Sequence, residues 1–445
     1  MGPEAPGAFD SALVVTVGQG VAAGGDALAR LPDGRVLLVE GALPGETVVV
    51  RIVASRRDHA RGRALGVVEP AASRIEPECR HARAEGATGG CGGCGWAHVA
   101  ADAQIDLARR VVLDALVRIA HIDGPPPLTA TPHSPSAGYR TTVTLAPTSA
   151  GRLAYHRRHG GGLVAVGDCR VAHPLVCDLI GRVVAPGWGS VTLRVGVAGG
   201  QRLVVLDPAA RSLPRRRRAS APKWAGGPRR GRVDAPSDVV VVPPGGVGSV
   251  EEEVGARRWR ISARSFFQPG PQGAGLLVDA VDAAVGEGIG PGDHVVDAYA
   301  GVGLLGGVVA ERRGARLTSI ESNPSAAADA RHNLSDLDAT VVAGEVGRWT
   351  PVRAQVVIAD PARSGLGRPG VAALVATAAP RLVLVSCDPA SLGRDTALLA
   401  QAGYGLAAVE IVAMFPDTVH FDTVSRFERA GCSEGEPGGQ ADRRG

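Results

Sequence analysis

The chain is almost devoid of lysine: Lys223 stands alone among 48 basic residues, and arginine supplies the rest. Aromatic residues are also scarce, at 3% of 445 positions. Any contact with nucleic acid therefore has to rest mainly on charge, because few rings are available for bases to stack on. No apolar run approaches the ~18 residues that a spanning helix needs. The N-terminus lacks a basic stretch followed by an apolar core and a cleavage site. These absences lead us to expect a cytoplasmic protein with no membrane partner. The net charge of +4 is too small to imply a nucleic-acid partner by itself, so the distribution of charge has to carry that point. The 62 glycines and abundant alanine look like a compositional bias, and a single glycine is not read as a designed turn. Seven cysteines in a reducing compartment argue for metal ligation or catalysis before disulfides.

At this length two to four domains are expected. Residues 10 to 70 read as short strands between turns: Leu13 to Val17, Val36 to Glu40 after Pro32-Asp33-Gly34, and Thr47 to Val53 after Pro44-Gly45. That is the pattern of a small β-barrel, assigned to residues 1–72. Residues 73–255 form a central region. It contains a cysteine-rich stretch, an amphipathic helix over Ala101 to Ile119, further short β segments, and a basic loop. The loop, Arg211 to Arg232, has nine cations and no acid; for the Arg215 to Arg218 run we expect a solvated loop with no fixed partner. From about residue 256 to 432 the pattern changes to strand–helix alternation. Strands are expected at His294 to Asp297, Leu317 to Glu321, Val356 to Asp360 and Leu382 to Ser386, and helices at Ala326 to Leu334 and Ser391 to Gln401. This is a doubly wound parallel sheet. Residues 433–445 read as a disordered tail.

The segment Asp297-Ala-Tyr299-Ala-Gly301-Val-Gly303-Leu-Leu-Gly306 places a glycine-rich turn between a strand and a helix, and Glu321 closes the next strand. Taken alone, this fits a dinucleotide fingerprint with its downstream ribose acid. It fits equally the nucleoside end of S-adenosylmethionine. An acid entering the turn at Asp297, and another at Asp360 in Asp360-Pro-Ala-Arg363, suit a cationic ligand better than a diphosphate. Each acid could also cap a helix, although three acids at strand ends are harder to explain that way. Cys387, in Val385-Ser-Cys-Asp-Pro389, lies at a strand end just before a helix, where the helix dipole should lower its pKa and make it a nucleophile.

Together these segments resemble the uridine-5 RNA methyltransferases, over nearly the whole chain. The resemblance is carried by Ser265-Phe-Phe-Gln268, Asp297 to Gly303, Asp360 to Arg363, Ser386 to Asp395, and Met414-Phe-Pro-Asp-Thr-Val-His-Phe-Asp422. It implies a C-terminal Rossmann-like methyltransferase domain in an α/β chain. It also implies that Cys387 is the catalytic nucleophile, that Asp422 is the base, and that Gln268, Tyr299, Glu321 and Asp360 touch S-adenosylmethionine. The family pattern has Glu where Asp422 stands, Asn where Gly270 stands, and a second Pro where Ala362 stands. His420 is expected to be structural.

Cys91-Gly-Gly-Cys94, with Cys79 and the distant Cys169, forms a candidate four-thiolate site, and the CxxC pair taken alone could bind zinc or be a redox pair. The resemblance favours a [4Fe–4S] cluster, as in the ribosomal-RNA branch of the family. It leaves Cys177 and Cys432 as ordinary core or tail residues. The N-terminal barrel resembles a TRAM domain of OB-like build, through Gly24-Gly25, Asp33-Gly34-Arg35 and Leu43-Pro-Gly-Glu46, with Arg51, Arg56, Arg57, Arg61 and Arg63 beside it. The expected enzyme is a monomer acting on RNA, ribosomal rather than transfer RNA. Two rivals are a catalytically silent RNA-binding protein of the same fold and a nicotinamide-dependent oxidoreductase.

Overall fold

The computed structural model describes residues 12–82, 90–158, 162–208 and 231–431. The basic run Arg215 to Arg218, Cys432 and the segment expected as a tail lie outside these residues.

Five strands open the chain: β1 (Leu13–Thr16), β2 (Ala27–Arg30), β3 (Val36–Glu40), β4 (Thr47–Ser55) and β5 (His59–Glu69). They pair in the order β1-β4-β5-β3-β2. Alternating Val and Leu side chains, among them Val15, Leu37, Val39, Val48 and Val50, bury one face. The sheet curls until its edges meet: Gly18 donates its N–H to Leu28 O (2.8 Å), and Leu28 donates back to Gly20 O (3.0 Å). β5 was not foreseen as a separate strand, because its arginines and glycines obscure the apolar alternation. Glu46 is fully buried and accepts from Leu43 N (2.8 Å), Ala71 N (3.2 Å) and the Arg74 guanidinium. Burial alone would raise its pKa, but these donors more than offset that and hold it below the ordinary value.

Helix α1 (Ala101–Arg118) lies where the amphipathic helix over Ala101 to Ile119 is expected. Its buried face, Leu107, Ala108, Val111, Val112 and Leu116, packs into the same core as the C-terminal sheet. Strand β6 (Leu128–Ala130) also joins that sheet, parallel to its edge strand. The expected division at residue 256 thus does not coincide with the layers, because α1 and β6 carry an apolar face that only the C-terminal sheet can cover. After β6 the chain runs through β7 (Thr142–Pro147), β8 (Leu153–His156), β9 (Leu163–Ala165), α2 (Pro174–Arg182), β10 (Ser190–Val195), β11 (Arg202–Asp207) and β12 (Val240–Val242). These strands form a second sheet, ordered β12-β11-β10-β7-β8-β9. The hairpin β13 (Ser249–Val254) and β14 (Arg257–Ser262) leads onward.

The C-terminal layer runs α3 (Pro271–Val285), β15 (His294–Ala298), α4 (Leu304–Arg313), β16 (Arg316–Glu321), α5 (Pro324–Asn333) and β17 (Ala339–Ala343). It continues with β18 (Val356–Ala359), α6 (Gly367–Ala376), β19 (Arg381–Ser386), α7 (Pro389–Gln401), β20 (Tyr404–Val412) and β21 (Asp422–Arg429). The strand order is β17-β16-β15-β18-β19-β21-β20-β6. β15 to β19 are parallel, and β21 inserts antiparallel between β19 and β20. The expected strands fall within one residue of those observed, and the four-residue run Val356–Ala359 is buried throughout, as a central parallel strand requires. The winding reverses at β15, whose neighbours are β16 and β18, and ligands of such sheets bind at the carboxyl ends beside this point. No helix among the described residues is long and apolar enough to cross a membrane.

Candidate functional site

Three acids stand at the carboxyl edge around the reversal. Asp297, 1% exposed, accepts the Gly306 N–H through Oδ2 (2.9 Å), while its Oδ1 has no hydrogen-bond partner. A Cβ at Gly306 would lie 2.5 Å from the Asp297 Cβ, so glycine there is a packing requirement. Glu321 props the turn itself, accepting from Gly301 N (2.8 Å) and Asn323 N (2.6 Å). Tyr299 sits in the left-handed region, at φ +64°, a strained conformation for a non-glycine residue that recurs where a ligand site dictates backbone shape. Asp360, one residue beyond β18, lies 3.4 Å from the Gln268 side-chain amide, which donates to it. Burial raises the carboxyls of both Asp297 and Asp360 to about 7. For Asp297, the nearby Asp360 and Glu321 add to the effect. Neither Asp297 nor Asp360 has an ion-pair partner among the described residues. The four cofactor residues named from sequence thus converge on one edge.

The same edge carries the thiol. The β19–β21 register ends at Ser386 opposite Thr423. One step further, Cys387 faces Asp422, and directly opposed residues present their side chains on the same face. Asp422 is 5% exposed, and its Oδ1 has no partner. Its carboxyl is raised to about 8 by burial and by Asp360, against a lowering by Arg363. The expectation that the helix end would lower the Cys387 pKa is corrected: the thiol is pushed up to about 11. Burial is the largest cause, followed by Asp422 and Asp360; Arg363 opposes them without prevailing. Asp388 caps α7 through the Ser391 N–H (2.8 Å). A pocket opens over the thiol, walled by Arg363, Asp388, Pro389, Val419, His420 and Phe421, with Ala23 and Gly24 of the N-terminal sheet.

The segment from Met414 to Asp422 is held from several sides. Trp96 donates its backbone N–H to Asp417 O (2.9 Å), and its ring stacks on Phe421, with centroids 6.5 Å apart and planes 11° off parallel. Gln104 of α1 accepts from Asp417 N (2.9 Å), and Tyr139 donates its hydroxyl to Pro416 O (3.2 Å). His420 accepts from the Arg363 guanidinium (3.2 Å), and burial keeps its pKa near 4, so the imidazole is neutral at pH 7.

Gly270 explains one departure from the family pattern. A Cβ there would meet Tyr139 O at 1.9 Å, so this backbone path excludes asparagine. Sequence reasoning missed Arg194 and Asp329. Arg194, 6% exposed, donates to Ser262 O (2.7 Å) and Ser265 O (2.8 Å). Asp329 accepts from Ser262 N and Oγ (both 2.7 Å) and Ser265 Oγ (2.5 Å). Together they fix the segment that presents Gln268. Both residues lie in otherwise regular elements, so no motif marked them.

Turns bring the four expected cysteines near one another. Cys91 donates its backbone N–H to His81 O (2.7 Å), Gly92 donates to His156 O (3.2 Å), and Asp168, next to Cys169, pairs with Arg80 and His81 (both 2.9 Å). Burial raises the Cys94 thiol well above its ordinary value, and Cys169, Cys91 and Cys79 add to it. Tyr155 donates its hydroxyl to the Cys169 sulfur (3.7 Å), whereas the Cys177 thiol turns onto Cys169 O (3.3 Å). No group of three or more His, Cys, Asp or Glu side chains among the described residues is arranged as a metal site.

Residues 14–65 match the TRAM domain family. The chain is 32% identical, over 440 residues, to an uncharacterized RNA methyltransferase of Streptomyces coelicolor, covering 92% of this chain and 91% of that one. It is 30% identical, over 465 residues, to an uncharacterized RNA methyltransferase of Gloeobacter violaceus, covering 96% and 99%. The solved Pyrococcus abyssi tRNA (uracil-54, C5)-methyltransferase, in complex with S-adenosyl-L-homocysteine, shares the fold. It superposes with a TM-score of 0.66 at 21% identity, covering 93% of this chain and 99% of that one.

Proposed function

The chain belongs to the RNA methyltransferase family of these bacterial relatives, and on that footing we propose that it methylates carbon 5 of a uridine in ribosomal RNA, with S-adenosylmethionine as donor and Cys387 as nucleophile. The observation that carries this reading is the placement of Cys387 opposite Asp422 at the sheet edge that also holds Asp297, Glu321 and Asp360. A nucleophile, a base and unpaired acids for a cation then share one site. The buried carboxyls of Asp297 and Asp360 favour a ligand bearing ammonium and sulfonium charges, whereas a pyrophosphate would add negative charge where it is already uncompensated. This disfavours the nicotinamide reading.

Uracil C5 is too weak a nucleophile to take a methyl group unaided. The Cys387 thiolate adds at C6, electrons move onto C5 and O4, and C5 attacks the methyl that the bound cofactor supplies. Asp422 then takes the C5 proton, the C5–C6 double bond re-forms, and the thiolate leaves. Gln268 and Tyr299 orient the cofactor, and a positive charge beside Asp360 offsets one of the carboxylates that raise the thiol. Action in the cytoplasm follows from the RNA substrate. The choice of ribosomal RNA rests on the resemblance of barrel plus cysteine loop to that branch. Mass-spectrometric mapping of 5-methyluridine in ribosomal and transfer RNA, from cells with and without the gene, tests it. Loss of one ribosomal 5-methyluridine is expected; loss confined to transfer RNA would move the substrate, and no loss would favour a catalytically silent RNA-binding protein.

Replacing Glu321 by alanine removes a charged acceptor and the prop of the Gly301 turn. S-adenosylmethionine binding is expected to weaken by about 1.5–3 kcal/mol, the range for hydrogen bonds to charged groups. Unchanged calorimetric affinity would remove Glu321 from the site.

We assign Cys79, Cys91, Cys94 and Cys169 to a [4Fe–4S] cluster, whose chemistry here is to clasp distant segments. The support is the donor set and the family resemblance: four thiols near one another, three of them raising the Cys94 thiol, which are not arranged as a metal site among the described residues. Anaerobically purified protein is expected to be brown, with about four irons per chain. Cys169→Ser should lose the metal and Cys177→Ser should keep it; colourless protein with stoichiometric zinc would replace the assignment.

A further inference from the structure

We infer that the loop Ala22–Asp26 of the N-terminal sheet is one wall of the pocket that admits the target nucleotide, and that the smallness of Ala23 and Gly24 sets what can reach Cys387. This rests on the reading of Cys387 as the residue that meets the uracil.

Two other walls of the pocket come from the catalytic layer: Arg363, Asp388 and Pro389 on one side, and Val419, His420 and Phe421 on the other. The remaining wall is Ala23 and Gly24, more than 330 residues away in sequence. The loop is not a loose flap. Asp26, 3% exposed, accepts from Arg158 (3.1 Å) and Arg61 (3.2 Å). Arg158 also donates to Gly24 O and Gly95 O, and Trp96 Nε1 donates to Gly25 O (3.4 Å). A tight turn, Gly25 N to Ala22 O (2.8 Å), sets its shape. The tryptophan that fixes this loop is the one stacked on Phe421, so the wall and the segment leading to Asp422 share a support.

The two glycines differ in what surrounds them. Gly25 has an internal reason to be glycine: its φ is +81°, and a Cβ would lie 2.4 Å from Val419 Cγ1. Gly24 has none. Its φ is not in the left-handed region, and a Cβ there meets nothing within 4 Å. The space beside it is the pocket over Cys387, so a longer side chain at this position would enter that pocket. The ligand class is one nucleotide extruded from an RNA strand, with its base toward Cys387 and its sugar and phosphate against the loop. The N-terminal sheet then shapes the pocket as well as attracting RNA by charge.

Gly24→Leu, with Ala23→Leu as a second variant on the same wall, tests this in the full chain. Each is checked for an unchanged thermal midpoint and unchanged calorimetric affinity for S-adenosylmethionine. Methyl transfer to RNA from cells lacking the gene should fall about 100-fold, the cost of displacing a reacting group by ~1 Å. Alkylation of Cys387 by N-ethylmaleimide, followed by peptide mass mapping, should slow about tenfold, while Gly24→Ala stays within about threefold of wild type on both measures. A folded, cofactor-binding Gly24→Leu or Ala23→Leu that methylates and is alkylated at wild-type rates would overturn the inference. The alkylation arm does not depend on catalysis, so it separates failure of the wall from failure of the methyltransferase reading.

Discussion

Cys387→Ala is expected to lower methyl transfer by about 10⁴–10⁶-fold, the scale seen when a covalent nucleophile is removed, while S-adenosylmethionine binds as before. In the proposed mechanism the thiol acts on uracil C6, and the proposed cofactor residues are Gln268 and those at the carboxyl ends of β15, β16 and β18, so the two readouts should separate. The burial that raises the thiol to about 11 adds a second expectation. In the free protein the thiol is mostly un-ionised at pH 7. Alkylation of Cys387 should therefore climb about tenfold per pH unit toward that value. Below about pH 8 Asp422 is neutral, and its repulsion of the thiolate is absent. A Cys387→Ala protein that still forms 5-methyluridine would remove covalent catalysis from the account.

Asp422→Asn is expected to trap the reaction midway. If the carboxylate acts only after methyl transfer, its loss leaves addition and methylation intact and blocks elimination. A protein–RNA adduct through Cys387 should accumulate as a denaturant-resistant band, absent from the Asp422→Asn/Cys387→Ala double variant. Turnover should fall about 10²–10⁴-fold, the usual worth of a positioned base. A carboxyl held near 8 is a stronger base than an ordinary carboxylate, at the expense of being mostly protonated at pH 7. The wild-type rate should accordingly rise through about pH 8. Aspartate is about 1.5 Å shorter than the family's glutamate, yet its carboxylate lies close enough to Cys387 to raise the thiol. Wild-type turnover with no adduct would transfer the proton to another group, with the neutral imidazole of His420 nearest in the chain.

The catalytic layer was largely legible from sequence, because its signals are local. Runs such as Val356–Ala359 announce buried parallel strands, and the acids at Asp297, Glu321 and Asp360 mark their carboxyl ends. What depends on distant residues was not legible. The Cys387 pKa was misjudged because the helix end is visible in sequence, while the burial and the carboxylates of Asp422 and Asp360 facing the thiol are not. α1 and β6 lie in sequence among the central segments, yet pack on the C-terminal sheet, since nothing local says which layer an apolar face will meet. Arg194 is invisible for the same reason, since it acts by reaching the carbonyls of Ser262 and Ser265.

The most direct measurement incubates the purified chain with S-adenosylmethionine labelled in its methyl group and RNA from cells lacking the gene, then digests the RNA to nucleosides. The account predicts that the label appears as 5-methyluridine and that Cys387→Ala abolishes it. Label on a ribose hydroxyl or another base, or label in 5-methyluridine that survives Cys387→Ala, would contradict it.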